Sequence, residues 1–358
     1  MAIAPIQGVQ GTLYTIPVTP VRPVAPAVRT EAPAPVGAPA AGPADTPEAL
    51  EALAQGKAVA TAAQTAVTRQ GGMAPLFADL AQALQSPDLP APVRAAAAQL
   101  LAQAAPLDAR LDGAAIARTL TQSGLFLENR LAVTPKASPA GQDLKADLLI
   151  LREALEGWLG TTPRPSPART AKAPPPPYRG GPTAAQPTAA GGLPADAPAA
   201  VVGQRLAEDA EAALARHELM QLASLPPAPQ ETADSQVTRW MFEAPFMTPQ
   251  GATVAQFEVS RDDGQAGRDG AQAAVYRARF SVDIEPLGPI HAHVSLAGDH
   301  AGVALWAERD ASVALLRGGQ AWLSQALAGA DLRSDITVYP GAPPRPNPGA
   351  GQFVDRST

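Results

Sequence analysis

The sequence predicts an α+β protein in which a C-terminal antiparallel sheet with one packed helix follows a largely disordered region that contains short α-helices. Three observations favour this fold class. Proline is abundant, with 40 residues in a chain of 358, and forms two dense tracts before residue 200. Aromatic side chains, which bury the most area per residue, cluster between Trp240 and Phe280. The period of the apolar residues changes from about 3.6 to about 2 near residue 236.

The two proline tracts divide the N-terminal part of the chain. In residues 1–47, proline recurs so often that neither a helix nor a central strand can propagate, so we predict a disordered N-terminus. Residues 161–200 form the second tract and are predicted to be a stiff, extended linker. Its run Pro174–Pro177, followed by Tyr178, fits either a ligand of a proline-binding domain or a spacer, and we favour the spacer.

Helical patterns lie in residues 48–160 and 201–235. The clearest stripe runs from Leu144 to Leu159 and begins after Asp143, whose carboxylate suits a helix N-terminus. A further helix is predicted at 203–225, followed by a connector. Short isolated helices rarely persist in water. The helices of 48–160 therefore either pack into a small bundle or stay marginal as separate helices, and the sequence leaves both possibilities open.

Residues 236–340 are predicted to be the folded C-terminal domain, and residues 341–358 a disordered tail. The alternation is strongest from Tyr276 to Ile284, where apolar residues occupy one face and charged residues the other. The predicted order is five strands, one helix and a last strand. The helix, from about 309 to 328, has an apolar side formed by Leu315, Leu316, Gly319, Trp322, Leu323, Ala326 and Leu327.

The composition argues against several classes of function. The formal net charge is −6, so no basic footprint for nucleic acid is expected. Cysteine is absent, which excludes disulfides, thiolate nucleophiles and cysteine-based zinc sites. No basic residue precedes Arg22, and no apolar run reaches about 18 residues, so we expect neither a cleaved secretory signal nor membrane insertion.

No motif points to catalysis or to a cofactor. His291 and His293 share one face of a predicted strand and His300 is close in sequence, but no alternating Asp or Glu completes a metal site. We therefore predict that these histidines are polar positions on the solvated face of the sheet. The acidic loop from Asp262 to Gly270 lacks the spacing of an EF-hand and is predicted to connect a hairpin. We predict no enzyme, no metal and no cofactor.

The region 280–339 has a distinctive order of elements. An apolar strand leads to the turn Leu287-Gly288-Pro289-Ile290, and two strands follow it. A leucine-spaced helix with Arg309 at its start and a final strand complete the unit. This pattern resembles the C-terminal domain of the flagellar hook-length control protein family. One departure is Ala292, where members of that family usually carry a branched apolar residue. The preceding half resembles the family in its Ala- and Pro-rich character.

The resemblance implies an exported molecular ruler whose C-terminal domain switches type III export from hook to filament substrates. It implies, as partners, the cytoplasmic domain of the export-gate switch protein and the hook and hook-cap subunits, with contact at Leu287, Gly288, Ile290 and Ala292. It also implies a monomer that is cytoplasmic and then exported through the flagellar type III apparatus, with an export signal in residues 1–47. The roughly 235 residues before the domain span on the order of 800 Å when fully extended.

Two other classes of function remain open at this point. One is a Pro-rich envelope spacer or scaffold that binds a partner through its C-terminal sheet, although neither a lipobox nor an anchor helix is found in the sequence. The other is an enzyme with an unrecognised site. Hook and hook-cap genes beside this gene would favour the ruler.

Overall fold

The structure, a computed structural model, describes residues 47–107, 112–134, 139–160, 173–194, 196–226, 237–262 and 274–344. The described residues from Pro47 onward belong to one compact unit. The helices are α1 (Pro47–Arg69), α2 (Met73–Ala83), α3 (Ala91–Leu101), α4 (Gly113–Thr121), α5 (Leu127–Val133), α6 (Leu144–Leu159), α7 (Ala199–Ser224) and α8 (Asp310–Ala328). The strands are β1 (Ala105–Pro106), β2 (Gln186–Ala189), β3 (Val237–Thr248), β4 (Gly251–Asp262), β5 (Val275–Ile284), β6 (Gly288–Ala297), β7 (His300–Ala307) and β8 (Arg333–Pro340).

Parts of the sequence-based segmentation lie outside the described residues. These are the N-terminal tract (1–46), the first part of the linker (161–172) and the connector before β3 (227–236). Most of the acidic loop (263–273) and most of the tail (345–358) also lie outside. The α+β class is confirmed by the described part of the chain.

The helices before the sheet pack into a bundle with an aliphatic core, which decides between the two possibilities that the sequence left open. The core leucines come from α2, α3, α6 and α7 and are fully buried: Leu76, Leu80, Leu100, Leu148, Leu151, Leu155 and Leu206. The Asp143 carboxylate caps α6 by accepting a hydrogen bond from the Ala146 backbone amide, at 3.0 Å. Ala252 and Val254 of β4 belong to the same core, so the bundle rests on the sheet. None of the described helices is long and apolar enough to cross a membrane.

The sheet is mixed, whereas the sequence predicted an antiparallel one. Its strand order is β1-β3-β4-β5-β6-β7-β8, with β2 paired to β4. Strands β3 to β7 are joined by successive antiparallel pairings, but β8 runs parallel to β7. The reason is the intervening α8, because a helical crossover returns the chain to the end of the sheet from which the previous strand began. The short β1 also pairs in parallel, with β3.

The two faces of the sheet differ in chemistry. The face that we call the aromatic face carries Phe242, Phe257 and Phe280 on neighbouring strands, with ring centroids 5.0 and 5.4 Å apart. The opposite face, which we call the polar face, carries the buried residues Glu243, Glu258, Ser281 and His291. On the polar face α7 packs against β3, and there Arg216 pairs with Glu243 at 2.8 Å, both side chains being almost fully buried.

Residues 173–194, which we call the strap, are packed on the fold, although the sequence predicted a free linker for 161–200. The Pro174 carbonyl accepts a hydrogen bond from Gln70 and the Pro175 carbonyl accepts one from Arg216. Further along, β2 pairs with β4, and Leu193 is buried in the bundle core. Proline lacks only the amide donor, so its carbonyl groups remain free to tie an extended segment to polar side chains.

Helix α8 is only partly packed. It lies against β7 and β8, where Val313 and Leu316 contact the core around Ala307 and Val338. Leu315 and Trp322, predicted on the same apolar side, are 60% and 73% exposed. The predicted apolar arc is too wide for a helix that meets two strands at the end of a sheet, because adjacent residues point about 100° apart.

Candidate partner-binding turn

The predicted contact turn joins β5 to β6 and includes Glu285, Pro286 and Leu287, of which the first two are exposed. The peptide bond between Glu285 and Pro286 is cis. Gly288 has φ of +75°, a conformation that favours glycine, and a Cβ atom there would meet the Arg309 side chain. Glycine at position 288 is therefore favoured both by the backbone conformation and by the close approach of Arg309.

The start of α8 holds this turn in place. Arg309, immediately before the helix, donates two hydrogen bonds of 2.8 Å to the Glu285 carboxylate and a third to the Pro286 carbonyl. The Ser312 hydroxyl donates to the Leu287 carbonyl at 2.6 Å. Because the Arg309–Glu285 pair is bidentate, it fixes an orientation as well as a distance. The turn and the N-terminus of α8 thus form one exposed unit.

Carboxylates dominate the charge around the turn. Hydrogen bonding to Arg309 lowers the pKa of Glu285, and the same pair raises the pKa of Arg309. Burial, followed by the charge of Glu285, raises the pKa of Asp283. Glu308 and Asp310 are exposed beside them, so Arg309 is outnumbered by acidic groups. A partner surface that fits this unit would carry basic residues.

The four predicted contact residues occupy different environments. Leu287 is half-buried on the turn and Gly288 is buried beneath Arg309. Ile290 is half-buried between two core clusters. Ala292 is 1% exposed and pairs with Phe280 and Leu305, so its side chain cannot reach a partner in this fold.

Sequence reasoning missed the exposed Glu285 and Pro286 and the clamp formed by Arg309. The signal for the clamp was the arginine at the start of the predicted helix. The sequence did not show that its partner would be the carboxylate at the end of β5, which lies far from it along the chain.

The three histidines near the turn do not converge. His293 packs its ring against Trp306, with centroids 4.6 Å apart, and burial followed by the charge of Arg279 lowers its pKa. His300 lies 3.2 Å from Asp335. The prediction of a solvated position is wrong for His291, which is buried. In the described ranges, no group of three or more His, Cys, Asp or Glu residues could hold a metal ion.

His291 belongs to a polar chain that begins at the strap and ends beside the turn. Its Nδ1 lies 2.7 Å from the Ser281 hydroxyl, and its Nε2 lies 3.3 Å from a Glu308 carboxylate oxygen. Ser, His and Glu are residue types of hydrolase triads, but in a triad the serine lies at Nε2 and the carboxylate at Nδ1, which is the reverse of this arrangement. Ser281 is also 0% exposed and donates to the Thr183 carbonyl at 3.1 Å. No substrate reaches that hydroxyl in this fold. This series of hydrogen bonds therefore has a structural role, in which it connects the strap to β5, β6 and Glu308.

Comparison with known proteins adds one match. Residues 264–347 match the family model described as flagellar hook-length control protein FliK. The described part of the match contains β5 to β8, α8 and the turn, while the helical bundle and the strap lie outside it. This match confirms the resemblance and its C-terminal location. No curated protein and no solved structure matched the chain.

Proposed function

We propose that this protein controls flagellar hook length as an exported molecular ruler and that its C-terminal domain switches type III export from hook to filament substrates. The observation that carries this proposal is the family match over residues 264–347. The fold supports it, because the matched residues form a unit with an exposed and rigidly held turn. The protein is cytoplasmic before export and leaves through the flagellar type III apparatus. It acts as a non-enzymatic regulator.

The turn unit is the proposed contact with the cytoplasmic domain of the export-gate switch protein. Leu287 supplies an apolar contact, and Glu285, Glu308 and Asp310 supply charge around it. Gly288 and Ile290 act by shaping the turn, because the first is buried under Arg309 and the second packs in the core. The proposed contact therefore centres on Leu287 and the acidic rim.

The ruler role requires the helical bundle to unfold during export. In the folded chain the residues of α1 to α7 lie in helices, which shortens their reach far below the fully extended length. The longer reach implied for hook and hook-cap contact needs the residues of α1 to α7 as extended chain, because a helix advances only about 1.5 Å per residue.

Hook-length measurement in a deletion strain tests the proposal. We expect overlong hooks without filaments, restored to normal by the intact gene. Leu287→Asp should fail to restore the switch, whereas the matched change Leu315→Asp, on the exposed side of α8, should restore it. Circular dichroism of both purified variants would establish that they fold. Normal hooks and filaments in the deletion strain would overturn the proposal and favour a scaffold.

A further inference from the structure

We propose that β2 is a releasable wedge in the sheet, and that its release lets β4 and β5 close against each other and moves the turn at 285–288. The strap carries this wedge. The regulatory role of the wedge rests on the function proposed above, but the release of β2 can be tested on the purified protein alone.

The sheet is split at the end that carries the turn. The ladder between β4 and β5 stops at the pair Gln256–Ser281. Beyond that pair, β4 stays with β3 as far as Gly251, and β5 stays with β6 as far as Ile284. The two hairpins therefore diverge at one end, and the turn lies at the tip of the diverging β5–β6 hairpin.

Strand β2 fills the opening between the hairpins. Gln186 pairs with Val254 and Ala189 pairs with Ala252, so β2 takes the edge of β4 that β5 has left. The Asp283 carbonyl accepts hydrogen bonds from the hydroxyls of Thr188 on β2 and Thr253 on β4, at 3.2 and 2.6 Å. Side-chain hydroxyls thus take the place of a backbone ladder at this point of β5.

The features of β2 favour release. It has four residues, its register is irregular between its two ends, and its exposed Pro187 offers no amide donor. An alternative partner for β4 is already in position. If the existing register continued by two residues, Val254 would pair with Asp283, so closure replaces the backbone bonds that β2 gives up. Two arrangements with similar hydrogen bonding are the requirement for a bistable element.

Movement at the wedge is transmitted to the turn by two routes. The first is β5 itself, because Asp283 is followed directly by the turn. The second is the polar chain, in which the Thr183 hydroxyl of the strap lies 2.7 Å from Ser281, and Ser281 leads through His291 to Glu308 beside the clamp. For an exported ruler, a pull that arrives along the chain at residue 173 reaches the strap before it reaches β3 to β8.

A trapped disulfide tests closure. The chain has no cysteine, so the double variant Val254→Cys/Asp283→Cys can form only one disulfide, and cross-strand geometry permits it once β4 and β5 pair. We expect oxidation to become about tenfold faster or more when Thr183→Ala/Thr188→Ala weakens the strap, because local opening is then more populated. The matched change Thr238→Ala, at an exposed position on β3, should leave the rate unchanged. Equal rates with and without the strap changes would overturn the wedge.

Hydrogen exchange of the otherwise unaltered chain gives an independent test. The amides of Gln186, Thr188 and Ala189 should open in a step that needs less denaturant than the opening of β3, β4 and β6. In a Thr183→Cys/Ser281→Cys variant, whose hydroxyls lie 2.7 Å apart in the parent chain, oxidation should abolish that early step and reduction should restore it. If the β2 amides exchange only with global unfolding, the strap is not separately releasable and the inference fails.

Hook-length measurements distinguish a failure of the wedge proposal from a failure of the proposed function. Thr183→Ala/Thr188→Ala in cells should switch export early and give shorter hooks with filaments, whereas Thr238→Ala should give hooks of normal length. Normal hooks in the strap variant, beside overlong hooks in the deletion strain, would overturn the regulatory role of the wedge. Normal hooks in every strain would overturn the proposed function, while the result of the disulfide test would stand.

Discussion

The helical bundle and helix α8 bury their apolar residues to very different extents. In α7, residues along the whole length of the helix are buried, including Leu206, Ala210 and Ala213. In α8, a helix of 19 residues, only Ser312 and Val313 are buried. The region predicted to be loosely organised is therefore the better packed, and the helix predicted to complete the folded domain is mostly exposed.

Alanine explains much of this difference. The bundle core has few aromatic side chains, but its alanines let helices approach closely, and its leucines fill the space between them. In α8, by contrast, Leu315 and Trp322 are 60% and 73% exposed, because the helix packs mainly against β7 and β8 with its opposite side. Apolar content therefore did not indicate which helices would be buried.

The buried ion pair between α7 and β3 gives the strongest test of whether bundle and sheet are one unit. Arg216→Met should lower the free energy of unfolding by about 3–5 kcal/mol, because Glu243 is left buried without its cation. Adding Glu243→Leu should recover much of that loss. Urea unfolding followed by circular dichroism and by tryptophan fluorescence measures both effects. Two separate transitions in the parent protein would show that the two regions fold independently.

A pair of matched leucine truncations compares the two regions directly. Leu148→Ala in α6 should lower the free energy of unfolding by about 2–5 kcal/mol, since its side chain is fully buried. Leu315→Ala in α8 should change it by less than about 0.5 kcal/mol, since its side chain is exposed. Urea unfolding of the two variants side by side is sufficient. Similar losses at both sites would mean that α8 is covered in solution.

Two titrating groups on α7 should give the bundle opposing dependences on pH. Burial, followed by the charge of Lys145, lowers the pKa of His217 from 6.5 to about 4. Its contribution to the free energy of unfolding is therefore fully present above pH 6.5 and is lost as the pH falls towards 4. Burial raises the pKa of Asp209 from 3.8 to about 7, so its contribution is present below pH 3.8 and lost as the pH rises.

Single substitutions should separate these contributions. Between about pH 4 and 7, Asp209→Asn should leave a stability that rises with pH, and His217→Gln one that falls with pH. The parent protein and the double variant should both show a shallower slope. Urea unfolding across this pH range measures the effect, and unchanged slopes in the single variants would show that neither group titrates as its burial implies.

The clamp at the turn should have the smallest effect on stability. Arg309→Ala removes an ion pair whose members are both about half exposed, so the unfolding midpoint should not change measurably. Hydrogen exchange at Leu287 and Gly288 should nevertheless become faster, because the bidentate contact fixes the turn. Arg309→Lys, which keeps the charge but loses the fork, should behave like the alanine variant. A fall in the midpoint would mean that the clamp also supports the sheet.

The long strands were predictable from sequence because their alternation is strong, and β3 to β8 lie close to the predicted positions. The parallel pairing of β8 could also have been predicted from the sequence, since a helix separates β8 from β7. Strands β1 and β2 were not, because two and four residues with proline carry no periodic signal. Their positions are set by partners more than 60 residues away.

A turn between β5 and β6 was predicted from the sequence, but the described turn is residues 285–287, and Gly288 and Ile290 lie in β6. Its role as a partner contact stays a prediction. Leu287 and Gly288 came from the resemblance, and the structure shows why glycine is needed. The burial of Ala292 agrees with its apolar alternating position beside Phe280, and it conflicts with the partner contact that the resemblance implied. His291 was misjudged because the strap that covers its neighbour Ser281 was predicted to be a free linker.

The connectivity of the compact unit has a consequence for how fast the chain folds. Gln70 bonds to Arg216, 146 residues away, and Ala105 pairs with Phe246. Contacts between such distant positions slow folding, because the entropy of closing long loops is lost before the contacts form. A newly synthesised chain therefore stays unfolded for longer than a bundle of sequential helices would. Under the proposed role as an exported ruler, this delay would give the chain a period in which to enter the export apparatus before the bundle needs to be unfolded.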